Sequence, residues 1–338
     1  NGHGTHCAGI AAAVGNNGIG ITGANPDALI MPITVMQSDG TGDVATLIKG
    51  IDYAAANGAD VFSMSFGGRD YSAAEEQALG KAYASAVLLA AAGNNGASIY
   101  KLTPPALAGR MFPAAFQFVL GVQATSGEEG DLAGFSNYDP DGPIYSECSS
   151  ELELYNYELS APGVNIMSTI PKGQYRNMNG TSMACPLAAG AISRLLMHKE
   201  YDSWELLFGD LIHTHKGNMD ILATYNVKDE DRKPTLSMIT YQFEESEDGD
   251  GDDRMDAGET ISFYPILRNA WGQAENIKIW LELAEFENDT IIQFLEQKVD
   301  FGAPLSSYAK NKSVNPIRFV IDKNVVDGRH ISMVFKAT

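Results

Sequence analysis

The sequence predicts an α/β domain built on a parallel sheet, followed by a small all-β sandwich domain. Short, continuous apolar stretches at residues 29–36, 61–66, 87–92 and 118–124 are typical of strands that helices cover on both faces. Segments with helical spacing of apolar residues separate some of these stretches, which indicates alternating strands and helices. Beyond residue 235 the apolar residues alternate at period two, as expected for antiparallel strands.

Two helices of the first domain can be placed from the sequence. Apolar residues recur at helical spacing over residues 44–55, and Asn57-Gly58 follows as a stop signal. Residues 184–198 form a second helical stretch, rich in alanine and leucine, that begins just after Ser182. Ser182 is therefore predicted to lie near a helix N-terminus, where the helix dipole favours negative charge.

A change of character near residue 228 predicts the domain boundary. Residues 229–234 are charged and end in proline, so we expect a linker between a first domain at residues 1–228 and a second at 235–338. In the second domain the alternating residues predict a sandwich of about 100 residues. Its clearest strand pattern consists of Ile277, Ile279, Leu281 and Leu283.

Composition excludes several functional classes. The chain has 338 residues, with 23 basic against 43 acidic side chains and a net charge of −20. This excess of negative charge argues against nucleic acid or an anionic membrane surface as the main partner. The sequence contains no apolar run long enough to span a bilayer. Its three cysteines, Cys7, Cys148 and Cys185, are odd in number and do not predict a disulfide framework.

Two polar segments suggest nucleophilic catalysis. Residues 1–7 read Asn-Gly-His-Gly-Thr-His-Cys, and residues 179–185 read Asn-Gly-Thr-Ser-Met-Ala-Cys. A serine hydroxyl needs an imidazole to accept its proton and hydrogen-bond donors to stabilise the developing oxyanion. We therefore predict Ser182 as the nucleophile and His3 as its base, in an enzyme that hydrolyses peptide bonds.

These segments resemble the histidine and serine blocks of the subtilases, the subtilisin-like serine proteases. Residues 87–96 resemble the strand and turn that carry the oxyanion asparagine of that family, which falls on Asn94. Residues 59–68 resemble the strand that pairs with the substrate backbone. Cys7, directly after the histidine block, is similar to the cysteine of the thiol-containing, proteinase K-like branch. The resemblance implies a subtilisin-like parallel sheet flanked by helices and a serine endopeptidase activity on peptide or protein substrates.

The same resemblance implies where a substrate binds. Subtilases hold the peptide as an added strand between two extended segments, and this pairing is insensitive to side-chain identity. Ala91, Ala92 and Gly93 would line one side of the first pocket, which holds the residue before the cleaved bond, so we expect broad cleavage after apolar or aromatic residues. The predicted substrate-binding residues are Gly40, Thr41, Gly42, Ser65, Phe66, Gly67, Ala91, Ala92 and Gly93.

One catalytic block of the family has no counterpart in the sequence. The aspartate of the triad lies on an early strand about thirty residues or more before the histidine, so we expect it in coding sequence upstream of Asn1, within an Asp-Ser-Gly or Asp-Thr-Gly turn. We expect this chain to be an N-terminally truncated fragment with an incomplete sheet, essentially inactive alone, since loss of the carboxylate in the chymotrypsin-type triad costs about 10⁴ in kcat. The sandwich loosely resembles the accessory modules that often follow secreted bacterial proteases. The family implies an extracellular or cell-surface protein.

An acidic segment of the second domain predicts a structural calcium site. Residues 248–259 place oxygen donors at the positions of an EF-hand loop, with a backbone carbonyl at position seven. Asp253 stands where that loop normally has glycine, and a solvated acidic loop is the alternative. The predicted ligands are Asp248, Asp250, Asp252, Arg254, Asp256 and Glu259.

Two other functions fit parts of the same pattern. A non-catalytic binding or adhesion protein could retain the subtilase fold, although the presence of His3, Asn94 and Ser182 argues against loss of the chemistry. A sedolisin-type acid peptidase also uses a Gly-Thr-Ser serine, but that family has a glutamate where His3 stands. The sequence makes no prediction of the oligomeric state.

Overall fold

The computed structural model describes most of the chain in two compact units, one ending at Val227 and the other spanning Lys228–Thr338. Each unit has its own buried apolar core. The residues described are 2–37, 39–99, 109–127, 130–140, 157–246, 249, 251, 254–269, 271–287, 290–306, 309–326 and 329–338.

The first unit combines helices with a sheet that is mostly parallel. Strands β1, β2 and β3 pair in parallel in that order, β5 joins β3 in parallel, and β4 pairs with β3 in the antiparallel sense. Strands β6 and β7 form a separate antiparallel hairpin. The helices are α1 (His3–Ala12), α2 (Val44–Ala56), α3 (Ala73–Tyr83), α4 (Thr181–Leu196), α5 (Trp204–Thr214) and α6 (Ile221–Asn226). The strands are β1 (Val61–Met64), β2 (Val87–Ala91), β3 (Leu120–Ser126), β4 (Asp131–Leu132), β5 (Leu159–Pro162), β6 (Ile166–Ile170) and β7 (Gln174–Met178).

Local signals explain where the helices begin and end. The Asp43 carboxylate accepts a hydrogen bond from the Thr46 backbone N–H and so caps α2, which ends before Gly58 at a φ of 76°. Ser72 caps α3 in the same way through the Glu75 backbone N–H. Every residue of β2 is buried, as expected for a central parallel strand covered on both faces. The predicted strand-helix alternation of the first domain is therefore present.

The prediction of a strand at residues 29–36 is wrong. The structure has no strand in this segment, and Leu29 is 99% exposed. Only one side of the segment packs: Ile33 and Val35 approach α2 so closely that a Cβ on Gly50 would lie 2.6 Å from Val35 Cγ1. A strand requires hydrogen bonds to a neighbouring strand, and in the described part of the chain none pairs with this one.

The second unit contains two antiparallel sheets around one core. One sheet has the order β12-β10-β15, and the other has the order β11-β14-β9-β13 with β8 also paired to β9. Along β9 buried residues alternate with partly exposed ones, which is the predicted period-two pattern. The strands are β8 (Leu236–Glu245), β9 (Thr260–Asn269), β10 (Lys278–Leu283), β11 (Ile292–Glu296), β12 (Lys298–Asp300), β13 (Lys310–Lys312), β14 (Ile317–Ile321) and β15 (Met333–Ala337).

An α/β region followed by a β-rich, antiparallel region is thus observed. Part of the predicted linker, at the start of the second unit, forms a short 3-10 helix, Asp229–Asp231. Within the described ranges, no helix is both long enough and apolar enough to cross a membrane.

A buried ion pair holds the end of the first unit together. Lys199 Nζ lies 3.2 Å from Asp210 Oδ2 and donates hydrogen bonds to the backbone oxygens of Thr224 and Val227 at 3.0 and 2.9 Å. Asp210 is fully buried. Removing the lysine would leave a buried carboxylate without its counter-ion.

We expect Lys199→Met to lower the free energy of unfolding by about 3 kcal/mol, the lower end of the range for breaking a buried pair. Urea denaturation measures this change. The control is Lys228→Met, which removes the exposed pair of Lys228 with Glu230 and should change stability by less than about 1 kcal/mol. Equal effects of the two substitutions would contradict the interpretation.

Candidate active site

His3 is the first residue of α1 and is partly buried. Burial lowers the pKa of His3, and the neighbouring His6 lowers it further because two positive charges repel each other. His6 itself is fully buried, and its Nε2 lies 2.9 Å from the Arg176 backbone oxygen on β7. The His3 imidazole is therefore favoured in its neutral form, which is the form that accepts a proton.

Ser182 is the second residue of α4, as the sequence predicted for a serine at a helix N-terminus. Pro186 lies inside the same helix and has no backbone N–H. The Ser182 carbonyl therefore lacks the helical hydrogen bond that residue 186 would otherwise donate. Two side chains replace it: Ser65 Oγ donates at 2.9 Å and Cys7 Sγ at 3.3 Å.

Cys7 links the candidate base to the candidate nucleophile. Its Sγ lies 4.0 Å from His3 Nδ1, one turn earlier in α1, while it donates to the Ser182 carbonyl. Burial raises the pKa of Cys7, so the thiol keeps the proton that it donates. The Ser182 hydroxyl donates to the Ser65 backbone oxygen at 3.4 Å. The Cys7 side chain therefore contacts both the His3 ring and the backbone oxygen of Ser182.

Asn94 is anchored to the residue before Ser182. Its Oδ1 accepts hydrogen bonds from the Thr181 backbone N–H at 2.9 Å and from the Thr181 hydroxyl at 3.1 Å. The Gly93 N–H in turn donates to the Thr181 hydroxyl at 3.1 Å. Because Oδ1 is occupied, the side-chain NH₂ of Asn94 is the group oriented for donation elsewhere, which is what an oxyanion site requires.

The turn that carries Asn94 depends on Asn137, which sequence reasoning missed. Asn137 Nδ2 donates to the Ala92 backbone oxygen at 3.0 Å, and its Oδ1 accepts from the Asn95 N–H at 2.9 Å. Gly93 has a φ of 102°, and a Cβ there would lie 2.5 Å from Asn137 Nδ2. Glycine at this position is thus required by the packing of the turn itself. No local motif marks Asn137, because its partners lie more than forty residues earlier in the sequence.

The predicted substrate segments occupy different surroundings. Ala91 and Ala92 are buried at the end of β2, and the partly exposed Gly93 follows them. Ser65, Phe66 and Gly67 follow β1, and Ser65 contacts Ser182 directly. Gly40, Thr41 and Gly42 lie in an exposed turn. Within that turn the Gln37 N–H donates to the Thr41 oxygen at 2.7 Å.

The predicted calcium loop is described only in part. Asp248, Asp250 and Asp252 lie outside the described residues, whereas Arg254, Asp256 and Glu259 lie within them. Glu259 is 6% exposed, and its Oε2 accepts a hydrogen bond from the Asp256 N–H at 2.9 Å. Considering only the residues with described positions, no three His, Cys, Asp or Glu side chains are placed to share a metal ion.

Comparison with known proteins gives relatives that match more than half of the chain. The chain is similar to subtilisin DY of Bacillus licheniformis, with 39% identity over 197 residues, which is 58% of this chain and 64% of that protein. It is also similar to subtilisin BL of Lederbergia lenta, with 36% identity over 205 residues, 60% of this chain and 65% of that protein. An alkaline protease of Alkalihalobacillus alcalophilus is 36% identical over 205 residues, 60% of this chain and 46% of the relative.

The matched region covers 46% to 65% of the length of these three relatives. The sequence profile of the Subtilase family matches residues 1–239, a range that includes His3, Asn94 and Ser182. The match confirms the predicted resemblance: the chain belongs to the subtilase family.

Proposed function

We propose that this protein is a serine endopeptidase in which Ser182 attacks the peptide carbonyl and His3 accepts the hydroxyl proton. The observation that supports the proposal is that Cys7 contacts both the His3 ring and the Ser182 carbonyl, while Asn94 accepts a hydrogen bond from Thr181, the residue before Ser182. The protease names of the relatives support the same reaction class.

The proposed reaction has two halves. In the first, Ser182 Oγ forms a bond to the carbonyl carbon, the imidazole of His3 takes the hydroxyl proton, and the oxyanion accepts hydrogen bonds from the Ser182 N–H and the Asn94 side-chain NH₂. The protonated imidazole then gives its proton to the leaving amine, which leaves an acyl-enzyme. In the second half, water attacks the acyl carbon while His3 takes its proton. The bond to Ser182 Oγ then breaks, His3 returns the proton to that oxygen, and the new carboxyl group is released.

Two features of the site favour this chemistry. The lowered pKa of His3 keeps the imidazole able to accept a proton near neutral pH. Ser182 lies in the first turn of α4, whose positive dipole end stabilises the developing negative charge.

The peptide would lie as an added strand along Ser65, Phe66 and Gly67. The turn at Gly40, Thr41 and Gly42 would lie on its other side.

The proposed triad aspartate is the one expected upstream of Asn1, and we propose an extracellular or cell-surface location for the protein. The aspartate would orient the His3 ring and stabilise its protonated form during the reaction.

In the protein expressed from its complete coding sequence, we expect Ser182→Ala to reduce peptide hydrolysis to background. We expect Asn94→Ala to lower kcat by about 10²–10³ with little change in KM, the magnitude known for the oxyanion asparagine of subtilisin itself. Initial rates on a chromogenic peptide measure both effects. Asn95→Ala is the matched control and should retain activity, whereas full activity in Ser182→Ala would refute the proposal.

We also predict the protonation behaviour of His3 in the 338-residue chain. Because burial lowers the pKa of His3, its imidazole should titrate below 6.5, the ordinary value for histidine. Stability from this group is present above pH 6.5 and is lost as the pH falls through that value towards the folded pKa. A proton NMR titration, with His3→Gln to assign the signal, measures the pKa. A midpoint above 6.5 would contradict the prediction.

For the second unit we propose a structural calcium ion in the acidic loop at residues 248–259. Glu259, at the last position of the loop, is nearly completely buried, which fits a residue that binds the ion through both carboxylate oxygens. The Gly251 N–H in this loop donates a hydrogen bond to Glu245 Oε2 at 2.7 Å. Several carboxylates in one short loop repel one another unless a cation neutralises them.

Calcium should therefore stabilise the protein against thermal unfolding. At a free concentration of 100 times the dissociation constant, we expect about 2.7 kcal/mol of added stability. Titration calorimetry should detect one bound ion, and Glu259→Gln should weaken binding. Glu244→Gln, on the exposed part of β8, is the matched control. Absence of binding to the unsubstituted protein would overturn the site.

A further inference from the structure

We propose that Met111 partly fills the pocket that holds the substrate residue before the cleaved bond. Cleavage would therefore be restricted to sites that follow a small residue. This inference deepens the proposed function and rests on it. It also replaces the expectation of broad cleavage after apolar or aromatic residues, which considered only the small residues on one wall of the pocket.

The two walls of this pocket are set by the register of β1 and β2. These strands pair in parallel from Val61 with Val87 to Met64 with Ala90. Extending the register by three residues places Gly67 level with Gly93, just beyond the carboxyl ends of both strands. Ser65 contacts Ser182 and Gly93 contacts Thr181, so the space between the two glycines lies beside the candidate nucleophile.

The Met111 side chain lies against both glycines. A Cβ on Gly93 would be 2.7 Å from Met111 Cγ, and a Cβ on Gly67 would be 3.5 Å from Met111 Cε. Met111 therefore lies close to both Gly67 and Gly93. Neither glycine has a side chain to occupy this space. Met111 is only partly buried, so this side chain borders the open part of the site.

Hydrogen bonds fix the backbone at Met111 and at the residue after it. The Met111 N–H donates to the Tyr157 hydroxyl at 2.9 Å, and that hydroxyl donates to the Gly109 oxygen at 2.6 Å. Tyr157 is completely buried, and burial raises its pKa, so the hydroxyl stays protonated. The next residue, Phe112, exchanges two backbone hydrogen bonds with Gly68, both at 2.8 Å. Only rotation of the methionine side chain could clear the space.

A substrate side chain must share this space with Met111. A methyl or hydroxymethyl group requires little volume, whereas a benzyl group requires the methionine to move out of its contacts with Gly67 and Gly93. One extra or missing methylene in such a pocket changes kcat/KM by about 10 to 200-fold. We therefore infer that alanine or serine is preferred to phenylalanine at the residue before the cleaved bond.

The test compares two peptides that differ only at that residue, alanine or phenylalanine, with the protein expressed from its complete coding sequence. The unsubstituted enzyme should show at least a 10-fold higher kcat/KM for the alanine peptide. Met111→Ala should raise kcat/KM for the phenylalanine peptide by about 10 to 100-fold and change the alanine peptide less than about threefold. Met167→Ala, a half-exposed methionine on β6, is the matched control and should leave the ratio unchanged.

The outcomes separate this inference from the proposed function. Cleavage with a preference for phenylalanine, or an unchanged ratio in a folded Met111→Ala, overturns the role of Met111 and leaves the endopeptidase assignment in place. Failure of the unsubstituted protein to cleave either peptide overturns both. If Met111→Ala does not fold, Met111→Val decides, since its smaller side chain should give an intermediate ratio and an unchanged ratio would overturn the role.

Discussion

The carbonyl of Ser182 is the point on which the geometry of the site depends. Pro186 deprives that carbonyl of its helical partner, and an unbonded carbonyl in a partly buried position is costly. Hydrogen bonds from Ser65 and Cys7 satisfy it. Because Ser65 follows β1 and Cys7 belongs to α1, this one oxygen ties three separate elements together. The hydrogen bond that α4 lacks at Pro186 is thus replaced by bonds that position the candidate nucleophile.

A second network positions the candidate oxyanion donor. Asn94 follows the fully buried strand β2, and its carbonyl oxygen is held by Thr181 at the start of α4. Asn137 fixes the backbone on both sides of Gly93, so the turn has little freedom to shift. The two networks meet in consecutive residues, Thr181 and Ser182. Hydrogen-bond donors that are fixed before the reaction need no reorganisation when charge develops, which is the main requirement of an oxyanion site.

The second unit has a separate physical basis. Its two antiparallel sheets bury one apolar core, so its stability does not require the catalytic residues. Its acidic loop follows β8, and the buried Glu259 immediately precedes β9. A cation at this position would act on the stability of the unit, whereas the chemistry proposed for Ser182 involves only the first unit.

Local patterns in the sequence were sufficient for the helix at Val44–Ala56, the strand-helix alternation, the antiparallel strands after residue 235 and the place of Ser182 at a helix N-terminus. Each of these depends on residues close together in the chain. The strand expected at residues 29–36 failed because pairing is a property of two segments, and the apolar pattern of one segment does not supply the other. For the same reason only the tertiary structure could show that Asn137 holds the turn at Gly93 and that Met111 lies against Gly67 and Gly93. Spacing along the chain determined which residues could carry the chemistry, and contacts between distant segments decided how much room they leave for a substrate.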